Sequence, residues 1–333
     1  MVAAWRQRVH VAQGFPKSNT DTAPTAVFLS LFFLSALSHA FIFIRNKKRG
    51  HLFVFNGLCI GFCMARVVTC CLRLGWTYDI ENRGLGISAT IFVAAGVLLL
   101  FIVNLVFAQR ILRGLHPNIG WQKALSRCLL VLYLLIPALL AMVVTATTQL
   151  FFTTNRNIVR IDINIQRAAS SYFLFVSLLP VPITAFALLY PQRSEPDHFG
   201  KGAFWLKSAV VLSASLILSL GAAFRTATAS YDWKPEYNTN PPWYNAKWCF
   251  YFFNFTLELI VVLMYLVLRI DLLFHILNGS KGPGSYSRYS KESTGNEDVE
   301  TRGLQRRSTD IMSQDSRVPG SPVNVSAAEK ESP

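Results

Sequence analysis

Charged residues are scarce in this chain: Asp, Glu, Lys and Arg supply 15% of its 333 residues, against roughly 25% in a typical soluble domain. Catalytic signatures are missing too, with no GxSxG, HExxH, Walker or GxGxxG pattern and six scattered His. The six Cys form no CxxC pair and no grouping with His, which argues against a zinc site. No catalytic residue, metal or cofactor is therefore expected, and the chain does not read as an enzyme.

What is present is apolar. Hydrophobic residues make up 52% and aromatics 13%, including 25 Phe. That composition excludes disorder, collagen and a two-domain soluble protein. The net charge of +14 is carried entirely before residue 278, because the last 56 residues hold eight basic and eight acidic side chains. The basic residues sit in short gaps between apolar runs, which orients helices in a membrane and makes no nucleic-acid stripe.

A bilayer core of about 30 Å needs about 20 helical residues. Seven runs qualify: Thr25–Ile44, Leu52–Leu74, Gly86–Ala108, Cys128–Thr147, Ser171–Tyr190, Trp205–Phe224 and Trp248–Leu268. They are continuously apolar and lack the alternation of a barrel strand. The expected fold is an all-α seven-transmembrane helix bundle spanning residues 25–277. An exterior segment (1–24) precedes it and a disordered cytoplasmic tail (278–333) follows. The amino terminus is placed outside by Arg45, Lys47, Lys48 and Arg49 after the first run, Arg110, Arg113, Lys123 and Arg127 after the third, and Arg193, Lys201 and Lys207 after the fifth. Residues 1–24 contain no apolar core of a cleavable signal, so the first span is expected to target the chain. The plasma membrane is the expected location, with endomembranes as the alternative.

Trp76, Trp121, Trp205, Trp243 and Trp248 lie near span ends and read as an interfacial belt. The connections Thr148–Ser170 and Arg225–Lys247 are long enough for lids. The second carries five aromatics and three prolines, and either closes over a ligand or joins the belt. Segment Arg269–Leu277 either prolongs the seventh helix or turns along the membrane. In the tail, Ser308, Thr309 and Ser321 are candidate phosphorylation sites, through which a cytoplasmic partner would be switched.

Charge inside a span is costly and usually partnered. Arg66 and Glu258 lie about 12 and 15 Å from the outer ends at 1.5 Å per residue, so a pair between the second and seventh helices is geometrically open. It reads either as a ligand or ion site or as a structural ion pair. His39 and Asn104 are expected to hydrogen-bond between helices. Gly57, Gly61 and Ala65, like Ser215 and Ser219, follow small-xxx-small spacing and are expected on close-packed faces. Pro137, Pro180 and Pro182 should kink their helices. The six Cys are expected to be free thiols.

Two receptor-like motifs do not hold. Asn240–Tyr244 fits NPxxY but precedes the seventh span, and Ala108-Gln109-Arg110 lacks the acid of DRY. The seventh span has no interior Lys for a retinal Schiff base. Taken together, Phe224-Arg225, the aromatic Asn240–Tyr244 stretch and Trp248–Asn254 leading to Glu258 resemble a fungal family of uncharacterised seven-helix membrane proteins. The chain is more distantly similar to fungal lipid-translocating exporter-like and receptor-like seven-helix proteins. The resemblance covers about Thr25–Leu277. It adds Arg225, Tyr251 and Asn254 to Arg66 and Glu258 as candidate ligand-binding residues. The expected function is receptor-like sensing of a small apolar or amphipathic ligand. Lipid or small-molecule transport is the alternative and a membrane scaffold the third reading; membrane lipids are expected partners and nucleic acid is not.

Overall fold

The computed structural model describes residues 15–49, 53–191, 195–230, 243–276 and 282–287. Among them, seven helices are long and apolar enough to cross a membrane: Ser18–Lys48, Val54–Tyr78, Arg83–Leu115, Lys123–Phe152, Arg156–Leu189, Phe204–Ser230 and Lys247–Val267. No strand occurs among the described residues. In lipid, a helix satisfies its own backbone donors and acceptors, which is why continuous apolar runs adopt it. Leu130, Val131 and Leu134 of the fourth helix, like Phe33, Leu34 and Leu37 of the first, are exposed on the bundle surface, where lipid tails would meet them.

The third helix lies at the centre. It packs against the second, fourth, fifth and sixth helices, and most of Leu98–Leu115 is buried, as expected of a helix apolar all round. It is broken at Val97 without a proline. The fifth is broken at Leu179, where Pro180 opens a second helical stretch to Leu189, so the expected kink falls there. Pro137 instead lies inside an unbroken fourth helix. The seventh contains a π-helical turn, Phe252–Thr256.

Hydropathy marks the apolar middle of each helix and stops at the first charges, so several boundaries move outward. The first helix starts at Ser18, and the Lys17 amide donates to Asp21 Oδ2 (2.8 Å), closing its first turn. The connection expected at Thr148–Ser170 is helical except for Thr153–Asn155 and provides no lid. The sixth helix continues past Phe224 to Ser230 and carries Arg225 with it. The rest of that connection (231–242), residues 1–14 and residues 288–333 with Ser308, Thr309 and Ser321 lie outside the described residues. The start of the expected disordered tail is instead packed: Tyr286 is 5% exposed, its ring lies 5.4 Å from that of Phe199 and its amide donates to Asp197 Oδ2 (3.1 Å), because these partners give it the apolar burial that tail composition alone does not show.

Trp76 departs from the interfacial belt. It is fully buried with Ala89 and Phe151, whereas Trp205, Trp243 and Trp248 are exposed. The glycine motif also misleads: a Cβ at Gly57 or Gly61 would meet only side chains at 3.9 and 3.8 Å. A tighter approach, to backbone of another helix, is at Gly221, where a Cβ would stand 2.8 Å from the Phe253 carbonyl oxygen of the seventh helix. After Val267 the chain turns back through Arg269, in the left-handed region at φ 50°. Phe274 then stacks on Phe107 at 4.1 Å, so this segment returns to the bundle and does not prolong the helix.

Candidate functional site

Tyr251, Glu258 and Tyr265 are seven residues apart and all buried, so the seventh helix carries a polar group into the bundle every two turns. Each is the centre of a polar layer.

The first layer, at the end of the bundle where the first and seventh helices begin, gathers around Asp21, which is 1% exposed. Its carboxylate accepts from Arg73 (3.3 Å), Lys247 (2.9 Å) and the Tyr251 hydroxyl (2.8 Å). Thr25 and Tyr251 share a further hydrogen bond of 2.8 Å, and the Arg73 guanidinium lies 3.9 Å over the Phe250 ring. This layer ties the start of the first helix to the end of the second and the start of the seventh. It was not expected from the sequence, because Asp21 precedes the apolar run and Lys247 and Arg73 read as flanking charges.

The middle layer contains the expected pair and one more cation. Arg66 donates two parallel hydrogen bonds to Glu258, Nε to Oε2 at 2.6 Å and Nη2 to Oε1 at 2.8 Å. Arg225 Nη2 donates to the same Oε1 at 2.8 Å. The remaining Arg66 nitrogen, Nη1, reaches the Phe92 and Val93 carbonyls (3.3 and 3.1 Å), just before the break in the third helix. Gly96 makes room for it: a Cβ there would lie 3.2 Å from Arg66 Cζ. Phe62 and Phe255 sit against the guanidinium, each with its ring centre 5.5 Å away. The bidentate geometry is the strong form of a charged hydrogen bond. The close approach at Gly221, one turn before Arg225, brings the sixth helix near enough for the third charge.

Arg225 was read as lying beyond its span, so the sequence counted only two opposite charges in the membrane. With it, two cations surround one carboxylate and the centre carries a net charge of +1. Arg225 Nε has no hydrogen-bond partner. The same side chain lines a cavity of about 160 Å³ between the third, fourth, fifth and sixth helices. The walls are mainly apolar, with Val97, Leu98, Phe101, Val143 and Phe173, and no carboxylate is among them. Gln166 and Thr147 face each other there through a 3.1 Å hydrogen bond.

Of the five residues proposed as ligand-binding, Arg66, Glu258 and Arg225 thus meet at one point. Tyr251 stands in the first layer with Asp21. Asn254 is buried in the π-helical turn, where its side-chain amide donates to its own helix at the Phe250 carbonyl (3.1 Å).

The third layer joins the first, third, sixth and seventh helices without charge. Asn104 donates to Ser215 (2.6 Å) and accepts from Tyr265 (3.3 Å). His39 meets the Val262 carbonyl at 3.4 Å. Both expected interhelical contacts are therefore present. Beyond the seventh span, Asp271 accepts from Arg269 (3.0 and 2.8 Å) and from Asn46 at the end of the first helix (2.8 Å). Burial alone would raise the Asp271 carboxyl, but these hydrogen bonds outweigh it and hold it below the usual carboxylate value. All six cysteines are free thiols.

No three of the described His, Cys, Asp and Glu residues are grouped so as to hold a metal ion. Comparison with curated proteins and with solved structures returns no match. Residues 207–275 match a family model described as a protein of unknown function (DUF3112), a stretch that holds Arg225 and Glu258 but not Arg66.

Proposed function

We propose that this multi-pass membrane protein is receptor-like and senses a small apolar or amphipathic ligand in the cavity beside Arg225. The observation that carries the reading is the double position of Arg225, in the cavity wall and in the ion cluster of Glu258. A ligand that draws on Arg225 competes with Glu258 for it. That competition acts on the contact between the sixth and seventh helices, which is close at Gly221. The seventh helix leads directly to Arg269 and the tail, so a shift there reaches the other side of the membrane. In this reading the amino terminus is exterior and the tail cytoplasmic, the plasma membrane is the site of action, and Ser308, Thr309 and Ser321 regulate a cytoplasmic partner.

Transport of a lipid or small molecule is the second reading, in line with the likeness to exporter-like fungal proteins. It is favoured by a groove of about 500 Å³ between the fourth and fifth helices, where Asp162 Oδ2 has no partner. Purified protein in sealed vesicles separates the two. A receptor changes the protease sensitivity of its tail when an apolar compound binds, with no net movement of that compound. Protein-dependent flux of the compound across the vesicle wall, with an unchanged tail, refutes the receptor reading.

A further inference from the structure

We infer that the ligand of the Arg225 cavity is a small monocarboxylate, bound as an anion, with an apolar part about the size of a benzene ring. The inference rests on the proposed use of this cavity and adds the chemical class of its occupant.

The charge argument comes first. Arg66 and Arg225 are cations and Glu258 is their one carboxylate, and no acid lines the cavity wall. Arg66 and Glu258 are already matched by two parallel hydrogen bonds. The surplus positive charge therefore belongs to Arg225, whose Nε is also the buried donor left without a partner. A buried charge without a counter-charge is unfavourable in lipid surroundings. One anion against Arg225, whose side chain is 19% exposed, supplies the missing counter-charge, and a carboxylate matches a guanidinium edge in shape.

Size and lining set the remainder of the molecule. A dry apolar cavity of about 150 Å³ accepts a benzene-sized guest, and this one is about 160 Å³. Apart from Thr90, Thr147, Gln166 and Ser170, its polar lining is limited to Arg225. Dianions would overcompensate a single positive charge.

The test uses the full chain in lipid nanodiscs at neutral pH in a sulfate background, with empty nanodiscs subtracted for partition into lipid. Benzoate, benzamide and sodium chloride are titrated by calorimetry, and thermal unfolding is followed in parallel. Benzoate should bind saturably and at least about tenfold more tightly than benzamide, the range expected for one charged hydrogen-bonded contact. Arg225→Gln should remove that preference while leaving the neutral Arg66–Glu258 pair to hold the fold. Val143→Phe, which fills the cavity from the fourth helix, should abolish benzoate binding; it decides the matter should Arg225→Gln not fold. Saturable binding of benzamide as tight as that of benzoate overturns the anion and leaves the cavity reading standing. Chloride competing with benzoate at equal affinity overturns the organic acid in favour of an inorganic-anion site. Absence of saturable binding by either organic compound overturns this inference and counts against the cavity as a whole.

Discussion

Glu258 is the position where the bundle should be most sensitive to a change of charge. It is 1% exposed and accepts three hydrogen bonds from two guanidinium groups. Glu258→Gln preserves the shape but leaves two buried cations without a counter-charge, and breaking a buried pair in this way costs about 3–5 kcal/mol. Arg66→Gln is milder, because Glu258 keeps Arg225; it loses the bidentate contact and the two third-helix carbonyl contacts, about 2–3 kcal/mol. Arg225→Gln should cost least, about 1 kcal/mol, since it gives up one charged hydrogen bond from a side chain that is 19% exposed and leaves a neutral pair behind. The expected order is therefore Glu258, Arg66, Arg225. Combining Glu258→Gln with Arg66→Gln should cost less than the two single losses together, by about 1 kcal/mol or more, because the second change removes a cation the first had stranded. Reversible unfolding in mixed micelles, titrated with denaturing detergent and followed by tryptophan fluorescence, measures each difference. Strictly additive losses, or an Arg225→Gln protein as unstable as Glu258→Gln, would refute the shared-carboxylate account.

Gly221→Ala should destabilise the bundle by about 1–3 kcal/mol, because its Cβ would press on the Phe253 carbonyl oxygen at 2.8 Å. Gly61→Ala should be close to neutral, with its nearest neighbour a Leu99 methyl group at 3.8 Å, and the same unfolding assay compares them. At Asp271 the folded carboxyl titrates below its unfolded value of about 3.9, so its contribution is complete above that value and is lost as pH falls through the folded one. Asp271→Asn should accordingly be less stable than the parent at neutral pH, and the gap should close in acid; a gap independent of pH would contradict the assignment. For topology, a tag at Met1 should be digested by protease outside intact cells and a tag at Pro333 protected, and the same fate for both tags would contradict an odd number of spans.

Helix count and type were legible in the sequence because they follow from local physics. A run of about 20 apolar residues must satisfy its own backbone in lipid, whatever its neighbours do. The Arg66–Glu258 pair was legible for a related reason: with so few charges inside the apolar runs, these two had each other as natural partners. Arg225 and Asp21 escaped because a hydropathy boundary ends at the first charge, whereas the helix continues wherever that charge finds a partner. For Arg225 that partner is Glu258 on the next helix, 33 residues on, and for Asp21 it is the Tyr251 hydroxyl, 230 residues on, so only the packing of the helices shows that either charge is met. The glycines show the same division. Small-xxx-small spacing named Ser215, which is buried against Asn104, but also Gly57 and Gly61, where a Cβ would find room; the backbone approach at Gly221 went unnamed, because which face a helix presents depends on all the helices around it. The sequence by itself determined that seven apolar helices form. The tertiary structure decided that two arginines share one carboxylate beside a cavity, because charge balance is a property of side chains brought together in space and not of any one segment.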